Sequence, residues 1–118
     1  MMYALLIYGD DSSWVDLPAD ERARLRAEQL PAYHALFDEL RKADPSFAGR
    51  ELDGRRTAKV VSVRDGERIV TDGPFAETKE LLGGLFLLDL PDLDEAIRLA
   101  ALIPSAKHGS IEIRPVLQ

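Results

Sequence analysis

The chain has 118 residues, 46% of them hydrophobic and 31% charged, a size and balance that fit one packed domain and exclude a disordered chain. Its formal net charge is -6 and its basic residues are scattered, which excludes direct nucleic-acid binding or an anionic membrane surface as the main role. It contains no cysteine, which removes disulfides, thiolate nucleophiles and Cys-rich zinc sites together. One domain spanning residues 1–118 is expected, and a second copy would help so small a domain bury surface.

The first element is a continuous apolar run, Tyr3 to Tyr8, stopped by Gly9-Asp10-Asp11, which reads as a buried strand. It has no basic leader and is too short to cross a bilayer, so a cytoplasmic location is expected. A helix follows from about Pro18, with Asp20 and Glu21 complementing its dipole. Arg22, Arg24 and Arg26 lie there among Asp20, Glu21 and Glu28, the pattern of a solvated helix face. Pro31 removes a backbone donor and predicts a kink or restart near Gln29-Leu30. Beyond it Leu30, Tyr33, Phe37 and Leu40, with Leu36 beside them, mark the buried face, and Asp44-Pro45 ends the helix.

Phe47 to Leu52 is a weak extended segment and Thr57 to Arg64 a stronger one. Asp65-Gly66 then supplies the positive φ of a tight hairpin, with Arg68 to Thr71 as partner strand. Gly83 to Leu90 is a second fully apolar strand, and Gly83-Gly84 suggests a bulge or a close backbone approach rather than a phosphate loop. Pro91-Asp92 opens a helix with Leu93, Ala96, Ile97, Ala100 and Ala101 as its apolar stripe, stopping before Pro104. Ile111 and Ile113 alternate with Glu112 and Arg114 in a last strand. The order is that of an α+β, ferredoxin-like split βαβ fold with an added hairpin.

In that fold both helices cover one sheet face, yet Tyr3–Tyr8 and Leu85–Leu90 are apolar on both faces. Something must cover the second face, and a second copy of the same sheet does so most simply. A homodimer is therefore expected.

Chemistry concentrates in Asp72 to Glu80, where Gly73-Pro74 forms a sharp turn between a carboxylate and the aromatic Phe75. Two readings stand: a pocket rim, or a turn in which Asp72 bonds nearby backbone amides and Phe75 plugs the core. His34, at the edge of the helix's buried face, is either a general base near neutral pH or an ordinary boundary histidine. His108 sits in a polar loop. No metal-ligand spacing, phosphate loop or serine elbow is present, so neither metal nor cofactor is expected.

Several blocks carry a resemblance: Tyr3-Ala4-Leu5-Leu6-Ile7-Tyr8-Gly9-Asp10, Val70-Thr71-Asp72-Gly73-Pro74-Phe75-Ala76-Glu77-Thr78-Lys79-Glu80, Leu82-Gly83-Gly84, Pro91-Asp92-Leu93-Asp94-Glu95-Ala96 and Gly109-Ser110-Ile111-Glu112-Ile113-Arg114-Pro115. Together they resemble the YCII-related family, in its DGPF-domain branch, over essentially the whole chain. The resemblance implies a dimeric α/β barrel and brings no established activity. The family's recurring His and Asp imply an enzyme, with Asp72 matching the motif Asp and His34 the histidine in a helix position that fits. Relatives fused to sigma factors imply a link to transcription initiation, which here would act through a separate protein.

Two functions follow. In the first, an unknown small molecule occupies a pocket between the first helix and the open sheet face, near the dimer seam. There His34 and Asp72 transfer a proton, Tyr33 and Phe75 form apolar wall, and Lys79 holds an anionic group. In the second, the domain is a non-enzymatic interaction or regulatory module, and the 72–80 loop is a contact surface or a brace of the dimer.

Overall fold

Alternation along the first apolar run sets the two sides of the sheet. In the structure, a computed structural model that describes residues 1–10, 17–75 and 80–118, strand β1 (Met2–Gly9) buries Tyr3 and Leu5 under the helices and turns Ala4, Leu6 and Tyr8 to the other face. Helix α1 (Ala19–Ala43) follows, then β2 (Ala48–Glu51), β3 (Lys59–Arg64), β4 (Glu67–Asp72), β5 (Leu81–Asp89), α2 (Leu93–Leu102) and β6 (Ser110–Pro115). Four strands form one antiparallel sheet in the order β2-β5-β1-β6, and β3 pairs only with β4. With the hairpin set aside, this is the ferredoxin-like α+β arrangement expected from the element order. No described helix is long and apolar enough to cross a membrane.

The core lies between the helices and one sheet face, where Leu5, Leu36, Leu40, Leu88, Leu99 and Ile103 are almost fully buried. Helix α1 carries Asp20 and Glu21 in its first turn and Arg41 and Lys42 in its last, each end matched to the dipole. It runs unbroken from Ala19 to Ala43, so the predicted restart at Pro31 does not occur. Pro31 and Ala27 are both exposed, so solvent can satisfy the carbonyl that the proline ring leaves without a donor. Leu36 and Leu40 then hold the second half against the core.

Helix α2 starts at Asp92, whose carboxylate accepts from the Glu95 amide at 2.9 Å. Its buried stripe is Ala96, Leu99 and Ala100, whereas Leu93 and Ile97, expected inside, are 49% and 51% exposed. Apolar residues occur on nearly every side of this short helix, so periodicity alone could not select the face.

The hairpin turn is as expected: Asp65 and Gly66 take φ of 51° and 76°, the left-handed pair of a two-residue turn. Val61, Val63 and Val70 on the hairpin are exposed. At the other site of glycine interest, pairing passes from Ile7↔Gly84 to Tyr8↔Leu82. Gly83 is thus the extra residue of a bulge, and a Cβ on Gly84 would lie 3.0 Å from the Arg50 carbonyl. The sheet face away from the helices presents the cross-strand pairs Leu6↔Leu85 and Ala4↔Leu87, all half-buried.

Past α1 the chain is clamped to the sheet. Buried Asp44 accepts from the Ser46 amide at 3.0 Å and the Ser46 hydroxyl at 2.8 Å, and its second oxygen accepts from the Asp89 amide at 2.9 Å.

Candidate functional site

On α1 the residues Arg26, Leu30, Tyr33, Phe37 and Arg41 recur every three or four positions and so share one side. That side faces the β2–β5 edge of the sheet across a cleft of about 690 Å³. The opposite wall is built by Ile7, Phe47, Gly49, Glu51 and Phe86, with Gly83 and Gly84 at one end. The cleft therefore lies on the helix-covered face of the sheet, whereas the pocket was expected at the open face. Gly49, Gly83 and Gly84 leave the sheet wall of the cleft without side chains at three lining positions.

The inner end of the cleft is aromatic. Phe37 stacks on Phe47 with ring centroids 6.3 Å apart, and Phe86 meets Phe37 edge-on at 6.3 Å. Tyr33 continues the wall at 6.2 Å from Phe37. Gly49 is necessary to this arrangement, since a Cβ there would stand 2.4 Å from the Phe86 ring. Gly49→Ala is therefore expected to push Phe86 out of place and cost about 1–3 kcal/mol. Urea denaturation measures that loss, and an unchanged midpoint would mean that Phe86 moves aside freely.

The outer end is charged. Arg26 of α1 grips Glu51 of β2 with two bonds of 3.1 and 2.8 Å, joining the two walls. The bonds from Glu51 raise the affinity of the Arg26 guanidinium for its proton. Arg41, about 22 Å further along α1, lies past the aromatic rings and pairs with Asp38 at 3.1 Å. Arg50 is opposite Leu85 and so belongs to the open face of the sheet, and it donates to the Gly49 carbonyl at 2.6 Å. Among the described residues no group of three His, Asp or Glu side chains is placed to hold a metal ion.

Of the residues singled out from sequence, Tyr33 lines this cleft. His34, the next residue, is exposed and outside the lining. Asp72 is exposed at the end of β4 and paired with Lys59, whose hydrogen bond and charge hold its carboxyl below the usual range. Phe75 is 90% exposed, so the reading that makes it a core plug is corrected. Asp72 likewise bonds a side chain across the hairpin, and it is the Gly73 amide that closes the turn, donating to the Ala58 carbonyl at 2.9 Å. The Gly73–Pro74 peptide is cis. Lys79, with residues 76–78, lies outside the described residues. Sequence reasoning missed Arg26, Arg41 and Glu51, although the spacing of Arg26 and Arg41 with Tyr33 and Phe37 was available as a signal.

Fold and cleft together define a class, a small ferredoxin-like domain with a mixed aromatic and charged cleft between its first helix and its sheet. The chain belongs to the YCII-related domain family, whose profile matches residues 1–118. It is 37% identical over 118 residues to an uncharacterised protein of Rhizobium meliloti (strain 1021), covering 98% of this chain and 92% of that one.

Proposed function

We propose that this protein binds a small molecule in the cleft between α1 and the sheet, and that it does so as a homodimer joined through the open sheet faces. The cleft carries the first part: about 690 Å³ of space with an aromatic inner end and a charged mouth suits one small organic ligand. The second part is supported by Leu6, Leu85, Ala4 and Leu87, apolar side chains left half-buried on the sheet face away from the helices. In the acid–base version of this reading His34 and Asp72 exchange a proton with the ligand. Neither lines the cleft of its own chain, so that version requires the dimer to bring both to a cleft.

A thermal-shift screen against small metabolites tests the reading. Stabilisation by at least one compound is expected, abolished by Leu30→Trp, which fills the cleft mouth from a position 49% exposed and so spares the core. His34→Ala and Asp72→Ala are expected to keep the shift. A shift that survives Leu30→Trp but vanishes in either of the other two, with fold intact, would move the site away from the cleft.

One observation favours a second reading, a contact module. Val61, Val63 and Val70 present an exposed apolar surface on the β3–β4 hairpin, which fits docking to another protein.

A further inference from the structure

We infer that the homodimer has its two-fold axis parallel to the strands, so that Arg50 of each chain pairs with Glu112 of the other across the two sheets; this rests on the open faces being the dimer interface. Strand register sets the side chains of that face in rows. One row runs Arg50, Leu85, Leu6, Glu112 from the β2 edge to the β6 edge. The next runs Ala48, Leu87, Ala4, Arg114. Each row has an apolar middle and unlike ends. The first ends in a cation and an anion, the second in a small side chain and a long one.

A two-fold axis parallel to the strands, through the middle of the sheet between β5 and β1, lays β2 of one chain over β6 of its partner and β5 over β1. A two-fold permits no slide along its axis, so each row meets its own copy reversed. Leu85 then meets Leu6, Arg50 meets Glu112, Leu87 meets Ala4 and Ala48 meets Arg114. Charge is matched at one edge of the seam and size at the other. Facing sheets lie about 10 Å apart, a gap that an extended arginine and a glutamate span together. Aligned sheets cross at about 30°, which offsets the ends of facing rows by about 4 Å, within an arginine's reach. An axis across the strands would instead lay β2 on β2, and Arg50 would face a second Arg50 or Ala48. Its own chain offers the Arg50 guanidinium the Gly49 carbonyl at 2.6 Å and no carboxylate among the described residues. Glu112 is steadied from its own strand and the next, 3.5 Å from Arg114 and hydrogen-bonded by Tyr8. It keeps acceptor capacity for a guanidinium arriving from above.

The test follows dimerisation of the full chain by light scattering in two single variants, Arg50→Glu and Glu112→Arg, both at exposed positions. By symmetry each change sets two like-charged pairs in its homodimer, and each is expected to weaken association about a hundredfold. Mixed in equal amounts, the two variants are expected to recover dimers of wild-type strength, because each chain supplies the charge the other now needs. A chain carrying both substitutions should dimerise with itself equally well. Within one chain the two positions stand at opposite edges of a four-stranded sheet, about 14 Å apart, so recovery reports a contact between chains. Glu112→Lys replaces Glu112→Arg if circular dichroism shows the latter unfolded. Single variants that dimerise like wild type, or a mixture that stays monomeric, would overturn the pairing and its axis while leaving the dimer through the open faces intact. A wild-type monomer would overturn the dimer reading itself.

Discussion

Asp44→Ala is expected to lower stability by about 3 kcal/mol, or about 10 °C in melting temperature. The buried carboxylate accepts three hydrogen bonds, and its removal leaves the partly buried amides of Ser46 and Asp89 without that acceptor. Asp89 closes β5, so the loss also loosens the register of the sheet's central strands. Asp44→Asn retains one acceptor oxygen and should cost about half as much.

The same residue sets a pH dependence. The Asp89 amide, then the Ser46 hydroxyl and amide, hold the Asp44 carboxyl below the usual range, against the opposing effect of burial. A carboxylate with a depressed folded-state pKa contributes stability that is fully present above its unfolded pKa of about 3.9 and is lost as pH falls through the folded value. Urea titrations should therefore show a wild-type advantage over Asp44→Asn that is constant near neutrality and shrinks below about pH 4. An advantage that persists unchanged well below that range would mean that the ionised form has no part in the clamp.

The second large effect is on assembly. Wild-type protein is expected to run as a dimer by light scattering at micromolar concentration, and Leu85→Arg as a folded monomer. Leu85 lies opposite Leu6 on the sheet face away from the helices, so a long charged side chain there is tolerated in one chain. Between two sheets it would be buried without a partner, weakening association by about a thousandfold. Circular dichroism unchanged from wild type would separate loss of assembly from loss of fold. A Val61→Lys, Val70→Lys pair on the hairpin discriminates further. If it leaves the dimer intact, the exposed hairpin serves another partner; if it weakens the dimer, the hairpin belongs to the same interface. A wild-type monomer would remove the case for paired sheets.

These two residues had different visibility in the sequence. The two-faced apolar pattern of Tyr3–Tyr8 and Leu85–Leu90 pointed to the uncovered face directly, because strand alternation is local. Asp44 read only as a helix stop, because its partner Asp89 is 45 residues away. The candidate site divides in the same manner. Tyr33 and His34 are neighbours in the chain, but a helix turns adjacent residues about 100° apart, so one lines the cleft and the other is exposed. Phe75 and Asp72, conspicuous in sequence as part of a long motif, are exposed, while the unremarkable Arg26 and Glu51 join the two walls of the cleft.

Features that depend on neighbours a few residues apart were legible along the chain. They cover the order of strands and helices and hence the ferredoxin-like fold, the left-handed turn at Asp65-Gly66, and the bulge at Gly83-Gly84. Tertiary structure alone decided what depends on packing between distant segments. It carries α1 through Pro31, selects Leu99 rather than Ile97 for the core, clamps Asp44 to Asp89, and encloses the cleft between α1 and β2. Local preferences are worth a kilocalorie or so per residue, and burying a leucine or satisfying a buried carboxylate outweighs them.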